Sequence, residues 1–181
     1  MKKWKILGQE TVCDFKLFKF YRRDLFNTHK HTEHHFYVME TPDWINVVPV
    51  TPEGKIVMIR QYRAGTDEIT IEIPGGVIDP SDVSPEAAAR RELEEETAYV
   101  SDTLSLLGAV HPNPSFMSNT CYFVLARAAR PAGKTHFDPG EDIETFEMTV
   151  PELKEAIRTG KIRHALTVAA LGLYFQKQET K

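Results

Sequence analysis

Cysteine is scarce in this sequence: Cys13 and Cys121 are the only two among 181 residues. One pair closes at most one bridge, which excludes a disulfide framework or a cysteine-rich zinc module as the source of the fold. Both read as buried, reduced thiols. Basic residues are outnumbered, with 22 Lys and Arg against 26 Asp and Glu, and the net charge of -4 excludes nucleic acid as the main partner, because phosphate-backbone binders carry a basic surplus. Long apolar runs are missing as well, and none reaches the roughly 18–20 residues of a membrane helix. The first ten residues start basic but lead into no apolar stretch, so they do not read as a secretion signal. These absences lead to the expectation of a cytoplasmic protein with neither a membrane nor a nucleic acid as partner. What remains is 41% hydrophobic and 27% charged, the balance of an ordinary folded chain able to bury a core.

The first forty residues read differently from the rest. Cys13–Tyr21 and Glu33–Met39 are candidate strands, separated by the polar, histidine-rich stretch Asn27–His35. Two short strands cannot bury both faces alone. Residues 1–42 are therefore expected to form a small β-rich segment that mediates a homodimer, preceding a main domain over 43–181. In that domain Ile45–Val50 and Lys55–Gln61 are β-branched runs joined by the turn Thr51-Pro52-Glu53-Gly54. Ile69–Ile73 makes a third strand. Further strands are expected over Leu104–Val110, Tyr122–Ala126 and Thr145–Val150. Ser84 and Pro85 are a helix start, and the helix should run to about Thr97. Pro151–Thr159, closed by Gly160, and His164 to about Gln176 are the other helices. Strands mixed with helices imply an α/β fold with helices on both sides of a mixed sheet.

The chemistry concentrates in Gly75–Val100. Glu92, Glu95 and Glu96 fall at i, i+3 and i+4, so their side chains share one helix face. Like charges at that spacing repel, and a hard dication with oxygen ligands offsets them. An acidic run on a helix is otherwise a solvated face. Arg91, four residues before Glu95, is placed to pair with it. Pro74-Gly75-Gly76 lets bare backbone approach a ligand, and a carbonyl from this loop could complete a metal's coordination.

In this segment Gly76, Arg91, Glu92, Leu93, Glu95 and Glu96 resemble the box of the Nudix hydrolase family. Three departures stand out. Ala98 occupies the place of a glycine, Tyr99 that of an aliphatic residue, and Asp82 that of the early glutamate, with one extra residue near Val83. The resemblance implies an α/β/α sandwich, hydrolysis of phosphoric anhydrides, and Mg²⁺ as cofactor with Mn²⁺ as a substitute. It makes Glu92 and Glu96 the main metal ligands, assisted by Glu95 and the Gly75 carbonyl. Beyond the box, Arg60–Arg63, Glu72–Gly76, His111–Pro114 and Pro139–Glu144 are similar to stretches of ADP-ribose and nucleoside-diphosphate-sugar pyrophosphatases. That branch implies ADP-ribose as substrate, cut to AMP and ribose 5-phosphate, with Glu72 and Pro114 contributing to substrate binding. Another nucleoside diphosphate derivative, or a non-catalytic nucleotide sensor, is the alternative.

Cutting a pyrophosphate bridge requires a carboxylate to take a proton from the attacking water. Glu141 is the first choice, Glu144 the second, with Glu95 and Arg91 completing the catalytic group. Arg63 either clamps a phosphate or closes a strand-end salt bridge. Trp44 and Phe36 either stack on a nucleobase or pack in the core. His29, His31, His34 and His35 lack the spacing of a zinc site and read as a polar surface or subunit contact.

Overall fold

Two segments alternate so strictly that both of their faces must be covered. In Trp44–Val50, Ile45 and Val47 point one way while Trp44, Val48 and Val50 point the other; in Cys121–Arg127, Val124 and Ala126 oppose Cys121, Phe123 and Leu125. A computed structural model, describing residues 2–179, shows how they are covered. In chain order the elements are β1 (Lys5–Phe15), β2 (Phe18–Asn27), β3 (Thr32–Glu40), β4 (Trp44–Val50), β5 (Ile56–Arg63), β6 (Glu68–Glu72), β7 (Gly75–Val77), α1 (Pro85–Thr97), β8 (Tyr99–Val100), β9 (Thr103–Val110), β10 (Cys121–Arg127), β11 (Arg130–Pro131), β12 (Ile143–Met148), α2 (Val150–Arg158) and α3 (Ala165–Glu179). Ala88, Ala89 and Leu93 of α1 pack on Ile45, Val47 and Val124. Leu153 and Ala156 of α2 and Ala170, Leu171 and Tyr174 of α3 pack on the opposite face with Val48, Phe123 and Leu125. The result is an α/β/α sandwich.

The chain divides into two compact units. One comprises residues up to Asp43 together with His111–Thr120; the other comprises Trp44–Val110 and the chain from Cys121 onward. The first contains the three-stranded antiparallel sheet β1-β2-β3. Here the structure corrects the sequence reading: Cys13–Tyr21 is not one strand but the end of β1 and the start of β2, joined by a turn at Lys16 and Leu17. The candidate strand Glu33–Met39, with His34 and His35 in it, forms as β3, where neighbouring residues face opposite sides of the sheet.

The second unit holds a seven-stranded mixed sheet in the order β12-β5-β4-β10-β9, with β6 beside β5 and β7 beside β4. β4 and β10 run parallel; the other pairings are antiparallel. The Thr51–Gly54 turn forms as expected, with Gly54 at φ +80. β4 and β5 then diverge after the single pair Val50↔Ile56, and β7 takes the place along Trp44–Asn46. That substitution carries Gly75 and Gly76 to the edge of α1. The two-stranded pair β8-β11 completes the sheets. Among the described residues no helix is long and apolar enough to cross a membrane.

Candidate active site

α1 starts as its sequence dictates. Ser84, extended at φ -163, accepts the Ala87 N–H on its side chain, and Pro85 occupies the first turn. One face of the helix carries Ala88, Ala89 and Leu93 into the core, which leaves Glu92 and Glu96 at the margin, buried against the Pro74–Gly76 backbone. The glycines are required there by close approach. A Cβ on Gly76 would sit 2.4 Å from Glu92 Oε1, and one on Gly75 would sit 2.2 Å from the Ile45 carbonyl oxygen. With no side chain in the way, the Gly75 N–H donates to Glu96 Oε2 at 2.8 Å.

Arg91 organises the carboxylates. Its Nε and Nη2 donate to Asp82 at 3.3 and 2.8 Å, its Nη1 to Glu92 at 2.8 Å and Glu95 at 3.0 Å, and Nη2 also to the Val77 carbonyl at 3.0 Å. All the N–H donors of the planar fork are thereby engaged. The Asp82 bond, the first of these causes, and the carboxylates of Glu92 and Glu95 raise the Arg91 pKa further despite its desolvation. Asp82, shifted in register from the place of the early glutamate, still reaches this arginine.

Glu92 and Glu96 have no such abundance of positive partners. Burial raises the Glu92 pKa, and Glu95 and Glu141 add to the rise against the pull of Arg91. Burial likewise pushes Glu96 up to about 8, with Glu92 and Glu141 adding repulsion while the Gly75 N–H and Arg63 counter it. Two buried carboxylates that resist ionisation are a site short of positive charge. Among the described residues no three or more His, Cys, Asp or Glu side chains are gathered closely enough to hold a metal by themselves. Mg²⁺ does not require such a group, because it binds through one or two carboxylates, waters and substrate phosphates. The hard oxygen donors of Glu92 and Glu96, with Glu95 beside them, fit that ion.

These carboxylates open into a cavity of about 470 Å³ that also receives Arg63, Gln61, Asp79, His136, Asp138 and Glu141. Glu141 therefore lies in the same cavity as the glutamates, its Oε2 accepting the Asp138 N–H at 2.9 Å. Glu144 is engaged by Arg60 Nη1 at 2.9 Å and is not part of the lining. Arg63 reaches the cavity from β5 and is gripped from behind by Glu72, with Nε–Oε1 and Nη2–Oε2 both at 2.8 Å. Arg63 closes a strand-end salt bridge, as one of its two readings has it, and it also lines the cavity. Glu72, expected to contribute to substrate binding, is fully buried and meets Arg63 instead of facing the cavity. Trp44 is not brought to the cavity; it packs half-buried against the core cluster around Phe123. Pro114 is exposed in the other unit, on the His111–Thr120 segment, and Phe36, also in that unit, packs edge-on against Trp4. Asp79, His136 and Asp138 have no signature in the sequence, because loops carry no periodicity. The one signal within reach was Asp79, three residues before Asp82 in the loop that feeds α1.

With this geometry in view, the comparisons with known proteins take on meaning. Residues 40–171 match the family described as the NUDIX domain. The chain belongs to the NUDIX family. It is a Nudix-fold hydrolase acting on phosphoric anhydrides, and its reaction is metal-dependent hydrolysis of a nucleoside-diphosphate-linked substrate. An ADP-ribose pyrophosphatase of Bacillus subtilis (strain 168) is 31% identical over 143 residues, covering 78% of this chain and 76% of that protein. A GDP-mannose pyrophosphatase of Cronobacter sakazakii (strain ATCC BAA-894) is 32% identical over 124 residues, covering 64% of each. A crystal structure of an ADP compounds hydrolase superimposes with a TM-score of 0.87 at 25% identity, over 99% of this chain and 96% of that one.

Proposed function

We propose that this hydrolase cleaves ADP-ribose to AMP and ribose 5-phosphate with Mg²⁺ as its cofactor. The observation that supports ADP-ribose over other nucleoside diphosphate derivatives is the likeness to an ADP-ribose pyrophosphatase over 78% of the chain. Glu92 and Glu96 would hold the metal, with Glu95 and the Gly75 backbone beside them. Mg²⁺ there, or Mn²⁺ in its place, would supply positive charge to the pyrophosphate oxygens and lower the pKa of the attacking water. Arg91 keeps the glutamates in place. Glu141 takes the proton from the attacking water. Arg63, braced by Glu72, grips a substrate phosphate through its free edge.

The same proposal includes a homodimer built through residues 1–42, in a cytoplasmic protein. In β1, the turn after it and β3, Ile6, Leu7, Val12, Phe15, Leu17 and Tyr37 are each more than half exposed, and a concentration of exposed apolar side chains marks an interface. No Phe, Tyr or Trp of the described residues lines the catalytic cavity, so a stacking surface for the base has to come from elsewhere, and the partner copy's N-terminal segment is the source proposed here. Sedimentation equilibrium at micromolar protein should give a dimer, and deletion of residues 1–40 should give a monomer with a raised KM. A monodisperse full-length monomer sinks the assembly. The substrate assignment is tested by initial rates with Mg²⁺ on ADP-ribose, GDP-mannose, dinucleoside polyphosphates and nucleoside triphosphates. The largest kcat/KM should fall on ADP-ribose, and a larger value on any of the others overturns that choice.

A further inference from the structure

The loop that brings Glu141 to the cavity runs from Ala132 to β12, and both of its feet stand on the end of α1. A helix leaves its last four carbonyls without an intrahelical donor, and for Glu95 and Glu96 this loop supplies one. On the incoming side the His136 N–H donates to the Glu95 carbonyl at 2.9 Å, and the Ala132 and Gly133 N–H groups both donate to the carbonyl of the cap residue Ala98, at 3.1 and 3.0 Å. Gly133 lets the loop come that close, because a Cβ there would sit 2.7 Å from Glu94 Cγ. On the outgoing side the Thr145 hydroxyl donates to the Glu96 carbonyl at 3.3 Å. Successive carbonyls of one helical turn thus hold the chain before and after Glu141. Between the feet the loop closes on itself: the Glu141 N–H donates to the Asp138 carbonyl, and the Asp138 N–H to Glu141 Oε2, both at 2.9 Å.

The two feet are built differently. The incoming one uses backbone donors, whereas the outgoing one depends on a single side chain. β12 lies at the end of the sheet order, and its ladder with β5 begins at Ile143↔Gln61, just past Glu141. That ladder fixes the register of β12 along β5, but an edge strand has no second neighbour to set its height against a helix below. Thr145 and Phe146 face opposite sides of the strand: Phe146 packs toward α2 and α3, and Thr145 toward α1. The Thr145 hydroxyl therefore fastens the strand that leaves Glu141 to the turn whose side chains Glu92, Glu95 and Glu96 line the cavity. A carboxylate accepts a proton only within hydrogen-bond reach of its water, and a displacement of about 1 Å can cost about 10²-fold in rate.

We propose that Thr145, which does not line the cavity, is a positioning residue for the proton transfer: its hydroxyl, bound to the Glu96 carbonyl, sets Glu141 against the glutamate face of α1. This rests on the reading of Glu141 as the group that takes the proton from the attacking water. The test is steady-state kinetics of the full-length protein on ADP-ribose at saturating Mg²⁺. Thr145→Val keeps the shape and loses the donor, and should lower kcat about tenfold with KM within about twofold. Thr145→Ser keeps the hydroxyl and should hold kcat within about twofold of wild type. Thr145→Ala also lacks the donor, should match the valine variant, and takes its place in the comparison if the valine variant fails to fold. In a Glu141→Gln protein, where there is no base left to position, Thr145→Val should lower kcat no further.

A wild-type kcat for the variants without the hydroxyl overturns the positioning role. Equal losses in the Ser and Val variants overturn it too, since the hydroxyl is then not what matters. A tenfold loss that persists in the Glu141→Gln protein would mean that Thr145 acts through Glu96 or the fold at large, which overturns the inference and leaves Glu141 as the base. A wild-type kcat for Glu141→Gln alone overturns the base and this inference with it.

Discussion

Replacing Glu96 with glutamine removes a carboxyl whose pKa burial, with help from Glu92 and Glu141, pushes up to about 8 from an ordinary 4.5. The folded chain therefore holds that proton more tightly than the unfolded chain does. The group's contribution to stability is complete below about pH 4.5 and is lost as pH rises through about 8. Between pH 6 and pH 9 the metal-free wild-type protein should lose about 2–3 kcal/mol from this group. For a chain of this length that is on the order of 5–10 °C in Tm. Glu96→Gln keeps the shape and has nothing to titrate. Thermal unfolding in EDTA at the two pH values, for both proteins, isolates the effect as a difference of differences in which the groups not coupled to Glu96 cancel. Mg²⁺ added at pH 9 should then raise the Tm of the wild type and leave the variant nearly where it was. Parallel pH dependences for the two proteins, or equal Mg²⁺ shifts, would refute the reasoning.

Three other substitutions address separate parts of the account. Glu141→Gln should lower kcat by about 10²–10⁴ with a modest change in KM; an unchanged kcat across the pH profile moves the base elsewhere. Ala98 closes α1 at φ 59, a conformation that penalises any Cβ, so Ala98→Gly should stabilise the protein by about 0.5–1 kcal/mol in urea unfolding, and a lower midpoint would contradict that. Arg91→Lys keeps the charge but gives up the fork that spans Asp82, Glu92 and Glu95, so it should cost about 1–3 kcal/mol of stability and raise the Mg²⁺ concentration for half-maximal activity. A wild-type Mg²⁺ dependence would mean that the glutamates orient themselves.

Local rules made the centre of the protein legible. The start of α1 is written in Ser84 and Pro85, its ligand face in the spacing of Glu92, Glu95 and Glu96, and the β4–β5 turn in Thr51–Gly54. Each of these is decided within a few residues. Lys16-Leu17 turns the chain without Gly, Asn or Pro, so nothing in the sequence marks the hairpin between β1 and β2 and the pattern reads as one strand. Trp44 is an aromatic on a strand buried on both faces, and only the tertiary structure decides that it packs inward. The resemblance over Glu72–Gly76 implies a substrate-binding Glu72, but its neighbours Arg63 and His164 come from β5 and the residue before α3. Contacts of that sequence separation leave no periodic trace, and neither do cavity-lining loop residues such as His136 and Asp138.

The central claim, a metal-dependent pyrophosphate hydrolase whose metal rests on Glu92 and Glu96, is tested most directly by following ADP-ribose with product analysis as Mg²⁺ is titrated into EDTA-stripped protein. Wild-type protein should be inactive without metal and release AMP and ribose 5-phosphate in equal amounts once Mg²⁺ is present. Glu92→Gln and Glu96→Gln, folded by circular dichroism, should stay nearly inactive at Mg²⁺ concentrations that saturate the wild type. Turnover that survives EDTA, or glutamine variants with wild-type rates at saturating Mg²⁺, would contradict the account.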